Sequence, residues 1–245
     1  MQKTFQNLTK NFRKFFDETG ARKVILGISG GVDSAVCAKI LVESVGAEKV
    51  FGILMPHKNF SSAENLNDAR ELAENLKIEF REIEISKFCA PFFATEFAGK
   101  NLVRANLMAR VRANLLFAAA NFFGGIVAGT CNRTEIFTGF FTKFGDGAAD
   151  FELIGALFKT EVFALARFLN LKKFAEKKPT AELFENHFDE TEIGVCYEKI
   201  DEILQRIFNE KNFAPQNSDE KKVWQIWKNS AHKREVPPVI SREEI

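Results

Sequence analysis

The chain carries 34 Lys and Arg against 33 Asp and Glu over 245 residues, a net charge of +1. So even a balance gives no overall field for nucleic acid or an anionic membrane, and any anion site has to be local. The chain is long enough to bury a full core, and no apolar run approaches the ~18 residues of a membrane span.

Residues 2–19 place Phe5, Leu8, Phe12, Phe15 and Phe16 at helical spacing, and this start lacks the apolar block and cleavage site of a signal peptide. A strand is expected at 23–28, then a glycine turn at 29–34, then a helix from 35 to 45. The composition of 49–55 (KVFGILM) predicts a second buried strand, closed by Pro56. Ser61 and Glu64 form a capping box that opens a helix with Leu66, Ala69, Leu72, Ala73 and Leu76 on its apolar face. Residues 78–85 alternate as IEFREIEI, a third strand near a sheet edge. A short helix or loop at 88–97 precedes a long Ala- and Leu-rich helix at 101–123. The run 125–130 (GIVAGT) predicts a fourth buried strand that ends in a second glycine turn. No period governs 138–151. Helices are expected again at 160–171, 191–208 and 219–230, with a lysine-rich loop at 171–187. The tail 231–240 is expected to be extended, because Pro237 and Pro238 cannot continue a helix.

Strands alternating with helices at this spacing predict an α/β protein with a doubly wound, Rossmann-like parallel sheet and its site at the strand C-termini. No linker divides the chain, so one domain over 1–245 is expected, with a core at about 20–170 and a covering segment at about 171–245. Cys37, Cys89, Cys131 and Cys196 lack the spacing of a zinc or redox motif, which fits reduced thiols in a cytoplasmic protein. The 27 Phe against a single Tyr are read as core filling.

Two stretches carry chemistry of their own. In Ser29-Gly30-Gly31-Val32-Asp33-Ser34 (SGGVDS), small residues and two hydroxyls sit between a strand and a helix start. That arrangement turns backbone N–H groups and the positive end of a helix toward a phosphate. The Lys-Ser/Thr of a Walker loop is missing. Asp33 can hold a metal beside the phosphate, and Glu135, after the turn at Gly129-Thr130, can meet it across the sheet edge to bind Mg²⁺. Plainer readings stay open: an ordinary strand-to-helix turn for the first motif, a favourable capping charge for the second. The irregular run TGFFTKFGDGAAD offers Lys143 as a positive charge, Asp146 and Asp150 as acceptors, and Phe140 or Phe141 as a stacking surface. It reads equally as a surface loop.

SGGVDS resembles the signature of the N-type ATP pyrophosphatases, whose fold is of the adenine nucleotide alpha hydrolase-like kind. With GT-x-x-x-TE, TGFFTKFGDGAAD, KPTAEL, Asp189-Glu190 before Gly194, and a late HKR, the ordered set resembles the ammonia-dependent NAD synthetases from about residue 22 to the tail. The resemblance implies that Gly27, Ile28, Ser29, Gly30, Gly31, Val32, Asp33 and Ser34 hold ATP, with Thr130, Lys159 and Thr180 as further contacts. It implies Asp33 and Glu135 as Mg²⁺ ligands. Deamido-NAD would lie against Asn106, Arg110, Phe140, Lys143, Asp146, Asp150, His232 and Lys233, with Arg110 reaching over from the partner subunit of a homodimer.

The implied reaction amidates deamido-NAD with ammonia through an acyl adenylate, using ATP as co-substrate and releasing AMP and pyrophosphate. Asp33, Lys159 and Asp146 would be its catalytic residues. Ammonia is the expected nitrogen source, because 245 residues leave no room for a glutaminase domain. Two departures from the family pattern stand out: Met55 in place of a basic residue before Pro56, and Cys131-Asn132-Arg133 in the second turn. Neither is expected to touch a phosphate or metal position. The competing readings are another N-type ligase, GMP synthetase-like or tRNA-modifying, and a non-catalytic nucleotide sensor on the same fold.

Overall fold

The computed structural model describes residues 1–177 and 193–240. In chain order the elements are α1 (Gln2–Thr19), β1 (Val24–Gly27), α2 (Val32–Val45), β2 (Val50–Leu54), α3 (Ala63–Asn75), β3 (Glu79–Glu82), α4 (Ser86–Phe93) and α5 (Asn101–Phe123). They continue with β4 (Ile126–Gly129), α6 (Arg133–Thr138), β5 (Phe151–Glu152), α7 (Lys159–Phe168), α8 (Lys172–Ala175), α9 (Tyr197–Asn209), α10 (Ser218–Asn229) and α11 (Ala231–Arg234). The sheet is parallel throughout, in the order β3-β2-β1-β4-β5.

Side chains on a strand alternate between faces, and β1 uses both. Val24 and Leu26 enter a core shared with α1, α2, α7 and α8, whereas Ile25 joins Phe51, Ile53, Val127 and Ala120 beneath α5. A strand buried on both faces reads as an unbroken apolar run, which is why VIL was legible. β3 is the opposite case: it lies at the sheet edge, with Glu79, Arg81 and Glu82 exposed, and such charges discourage a further strand from pairing. A separate apolar cluster joins α9 and α10 through Ile200, Leu204, Ile207, Val223 and the stacked rings of Trp224 and Trp227.

Three local expectations are corrected. The cap of α3 is Ser62, whose hydroxyl accepts from Asn65 N at 3.0 Å; Ser61 is drawn away because its hydroxyl takes the His57 N–H at 3.0 Å. The tail is not extended from its start: residues 231–234 make a helical turn, because the prolines act only from 237 onward and Arg234 reaches back to the carbonyls of Phe137 and Trp227. The third strand is only four residues long, ending before Ile83.

Gly30 is the tightest point of the chain near the strand ends. Its φ is +82°, and a Cβ there would stand 2.1 Å from the carbonyl oxygen of Asn65 on α3. An L-residue is strained at such a φ even in open space. Gly30→Ala is therefore expected to cost about 2 kcal/mol or more, lowering the thermal midpoint by ~4–8 °C. A melt followed by circular dichroism that matches wild type would contradict this packing.

Candidate active site

The sheet order sets β1 beside β4, with the chain leaving β1 toward β2 and β4 toward β5. Such a reversal opens a crevice beyond the strand C-termini. Both glycine turns of the sequence end in it.

The first turn is held by its own serines. Ser29 Oγ and Ser34 Oγ lie 3.1 Å apart, the Ser34 hydroxyl donates to Gly31 O at 3.0 Å, and Gly31 N donates to Ser29 Oγ at 3.2 Å. Gly31 is the N-cap of α2 and has no side chain to offer the N–H groups of its first turn. Those donors face the crevice with the positive helix end behind them, the ordinary setting for a phosphate.

The second turn builds the charged centre. Asn132 caps α6: its side-chain oxygen accepts from Glu135 N at 3.0 Å, and Glu135 Oε2 accepts from Asn132 N at 3.2 Å. This box leaves the other oxygen of Glu135 turned toward Lys159, whose Nζ donates to it at 3.0 Å. The same ammonium donates to Asp33 Oδ2 at 2.6 Å, while Asn132 Nδ2 donates to Asp33 Oδ1 at 2.9 Å. Asp33 and Glu135 thus meet through one buried lysine. Burial opposes the charge on Lys159, but Asp33 and then Glu135 outweigh it and hold the ammonium protonated above the usual lysine range. Burial also lifts the Glu135 carboxyl above the usual carboxylate range against the pull of Lys159, with Asp33 adding to the rise.

Beside this centre lies Glu152. Its carboxylate accepts from Cys131 N at 2.9 Å and fills the space over Gly129, where a Cβ would come within 2.3 Å of it. Burial raises it to about 8 against that hydrogen bond, and the charges of Glu135 and Asp146 add to the rise. Asp146 is exposed, and Thr142 N donates to its carboxylate at 2.9 Å.

The irregular run is held by contacts across the chain. Thr142 Oγ1 donates to Asn106 Oδ1 at 2.7 Å, and Arg110 reaches the Lys143 carbonyl at 3.4 Å. Lys143 Nζ donates to the His232 carbonyl at 2.5 Å, and Lys233 Nζ to the carbonyls of Gly139 and Phe141 at 2.6 and 2.8 Å. Asn106, Arg110, Lys143, Asp146, His232 and Lys233 are therefore gathered around one loop. Two expected members stand apart. Phe140, half-buried, packs against the cluster of α9 and α10, and Asp150 uses its carboxylate on Val127 N at 2.7 Å, at the start of β5. Thr130 follows β4 at the crevice, half-buried. Thr180, with Asp189 and Glu190, lies outside the described residues.

The family model for NAD synthase matches residues 4–237. The chain belongs to the NAD synthase family. An NH3-dependent NAD(+) synthetase from Archaeoglobus fulgidus is 39% identical over 239 residues, 97% of this chain and 96% of that one. The solved structure of an NMN synthetase from Francisella tularensis is similar with a TM-score of 0.88 and 32% identity, covering 98% of each chain. That of an NH3-dependent NAD synthetase from Campylobacter jejuni, in complex with the nitrate ion, reaches 0.80 at 30% identity, over 97% of this chain and 99% of that one.

Within this NAD synthase chain the sequence reading missed the residues that join the motifs. Asn132 belonged to a departure expected to touch no phosphate or metal position, yet it holds Asp33 and caps Glu135. Its signal was present as Asn-x-x-Glu, a capping-box spacing. Met55 lies with its methyl against Gly27, and its carbonyl accepts from Arg112 on α5 at 3.1 Å. Thr134, which takes the Lys159 N–H at 2.9 Å, and Glu152 left no local signal.

Glu152 makes a pH dependence testable. Its folded-state pKa lies above its unfolded value, so the folded protein holds the extra proton between the two. That stabilising contribution is whole below the ordinary glutamate range and is lost as pH rises through about 8. Urea unfolding of the ligand-free protein should give midpoints that fall from pH 6 to 9, with a shallower fall in Glu152→Gln. Equal slopes would contradict the raised carboxyl.

Proposed function

We propose that this protein amidates deamido-NAD with ammonia, consuming ATP and releasing AMP and pyrophosphate. The observation that carries the reading is the buried Lys159, 2.6 Å from Asp33 and 3.0 Å from Glu135, at the head of the SGGVDS loop. The names of its relatives support the same activity.

A carboxylate is a poor electrophile, so the nicotinate carboxylate first attacks the α-phosphorus of ATP and pyrophosphate leaves. Ammonia then adds to the acyl adenylate carbonyl, loses its proton, and AMP departs. The protein's part is positioning and charge stabilisation. The N–H groups in the first turn of α2 receive the leaving pyrophosphate, and Lys159 neutralises charge growing on it. Asp146, whose carboxylate is held by the Thr142 N–H at 2.9 Å, accepts a proton from ammonia.

Among the described residues no three His, Cys, Asp or Glu gather to hold a metal. Mg²⁺ asks for less than that: one or two carboxylates complete its shell with water and substrate phosphates. Asp33 and Glu135 share one cation and offer hard oxygen donors, so the donor set fits, and bound Mg²⁺ would supply Lewis-acid stabilisation of the phosphate oxygens.

The reading includes a homodimer, cytoplasmic location and the whole chain as one catalytic unit. Phe88, Phe92, Phe97 and Leu102 stand exposed on α4, its connection and the start of α5, an apolar surface suited to a second copy. The four cysteines are free, as expected of a reducing compartment. No helix among the described residues is long and apolar enough to cross a membrane. A second reading, amidation of the corresponding mononucleotide, is favoured by the likeness to the Francisella tularensis NMN synthetase.

Protein incubated with Mg-ATP, ammonium and either nicotinate nucleotide should form AMP in step with amide, faster from the dinucleotide. Faster turnover of the mononucleotide would move the reading to the second substrate, and ATP binding without AMP would favour a sensor. Asp33→Asn and Glu135→Gln are each expected to lower kcat roughly 10²–10³-fold, the usual loss of a charge-stabilising group. Near-normal rates in both would remove their assignment. If Arg110 serves the partner's site, mixing inactive Arg110→Ala and Lys159→Ala chains should restore roughly a quarter of wild-type activity through mixed dimers. No recovery would place Arg110 in its own subunit's site.

A further inference from the structure

Asp201 lies on α9, outside the crevice, and is 2% exposed. Its carboxylate is spent entirely on the first turns of two other helices. Oδ1 accepts from the Thr134 hydroxyl on α6; Oδ2 accepts from Thr160 N at 3.0 Å and the Thr160 hydroxyl at 2.8 Å on α7. Thr134 immediately precedes Glu135, and Thr160 immediately follows Lys159. The link closes on itself, because Thr134 Oγ1 also accepts from Lys159 N at 2.9 Å.

The direction of these bonds matters. A hydroxyl has one proton, and Asp201 takes it, so the oxygen lone pairs of Thr134 are left for the Lys159 N–H. A neutral side chain at 201 would not impose that polarity. Nor does packing call for a charge here, since Ile200, Ile203 and Leu204 around it fill an apolar cluster. A buried carboxylate is weak evidence for stability, because an apolar residue of similar size often serves as well. With no path to substrate, Asp201 cannot act as an acid or base.

We infer that Asp201 is a positioning residue: it clamps the first turns of α6 and α7 together and so sets the distance between Glu135 and the Lys159 ammonium. The inference rests on the proposed roles of Glu135 and Lys159 in phosphate and metal binding.

Asp201→Asn is the direct test, since it keeps size and one acceptor but presents an N–H₂ to partners that already donate. Folded Asp201→Asn should lose about tenfold to a hundredfold in kcat, as small misplacements do, and need more Mg²⁺ for half-maximal rate. Its KM for deamido-NAD should stay within about twofold of wild type. Leu204→Ala, on the same helix with no polar contact, should lower the thermal midpoint while leaving kcat within about twofold. Thr134→Val should slow the enzyme as Asp201→Asn does, Thr134→Ser should restore the rate, and the Asp201→Asn, Thr134→Val double variant should be no slower than the worse single one. Wild-type kcat and Mg²⁺ dependence in folded Asp201→Asn would overturn the clamp, as would equal slowing by Leu204→Ala. Glu135→Gln and Lys159→Met separate the two levels. If both turn over normally, the reading of the phosphate site falls; if both are inactive while Asp201→Asn is normal, only the clamp does.

Discussion

A single buried ammonium organises this protein's crevice. Lys159 is almost wholly removed from water and would be strongly disfavoured as a charge without partners. Asp33 and Glu135 supply two, and their own burial is tolerable only because the ammonium is there. Each of the three charges makes sense of the other two. The neighbouring fold can be read as what this arrangement requires: β1 and β4 adjacent, α6 capped by Asn132, and α7 beginning at the lysine itself.

Behind the charged centre the support is aromatic. Arg133, one residue past Asn132, lies over the rings of Phe137, Phe158 and Phe208, with its guanidinium 4.9–5.5 Å from each ring centre. That packing ties α6 to the cluster of α9 and α10. The abundance of phenylalanine thus acquires a purpose beyond filling: its rings seat cations as well as apolar groups. The single tyrosine, Tyr197, is buried with its ring 5.4 Å from the Lys159 ammonium.

What the sequence disclosed was local or periodic. SGGVDS, the Gly129-Thr130 turn and the apolar strands were readable because glycine conformation, strand burial and helix entry depend on neighbours in the chain. Ser62 displaced Ser61 as a cap by one residue because His57, four residues upstream of Ser61, had already claimed the Ser61 hydroxyl. The packing of Phe140 was hidden because the cluster it leans on, in α9 and α10, comes much later in the chain. Glu152, Asp201 and the bond from Asn132 to Asp33 were opaque for a related reason. Their partners are set by the sheet order and by the docking of α9, and no window of sequence contains those facts.

The separations have a consequence for how the protein is made. Asp33 lies 99 residues before Asn132 and 126 before Lys159. While the chain emerges from the ribosome, β1 can pair with β2, but its other edge stays open until β4 has been made. Contacts so distant along the chain are reached slowly, after the cost of closing long loops. The nascent N-terminal part therefore carries a central strand with one edge open until β4 is made, and Asp33 lacks its counter-ion until residue 159 arrives to complete the centre.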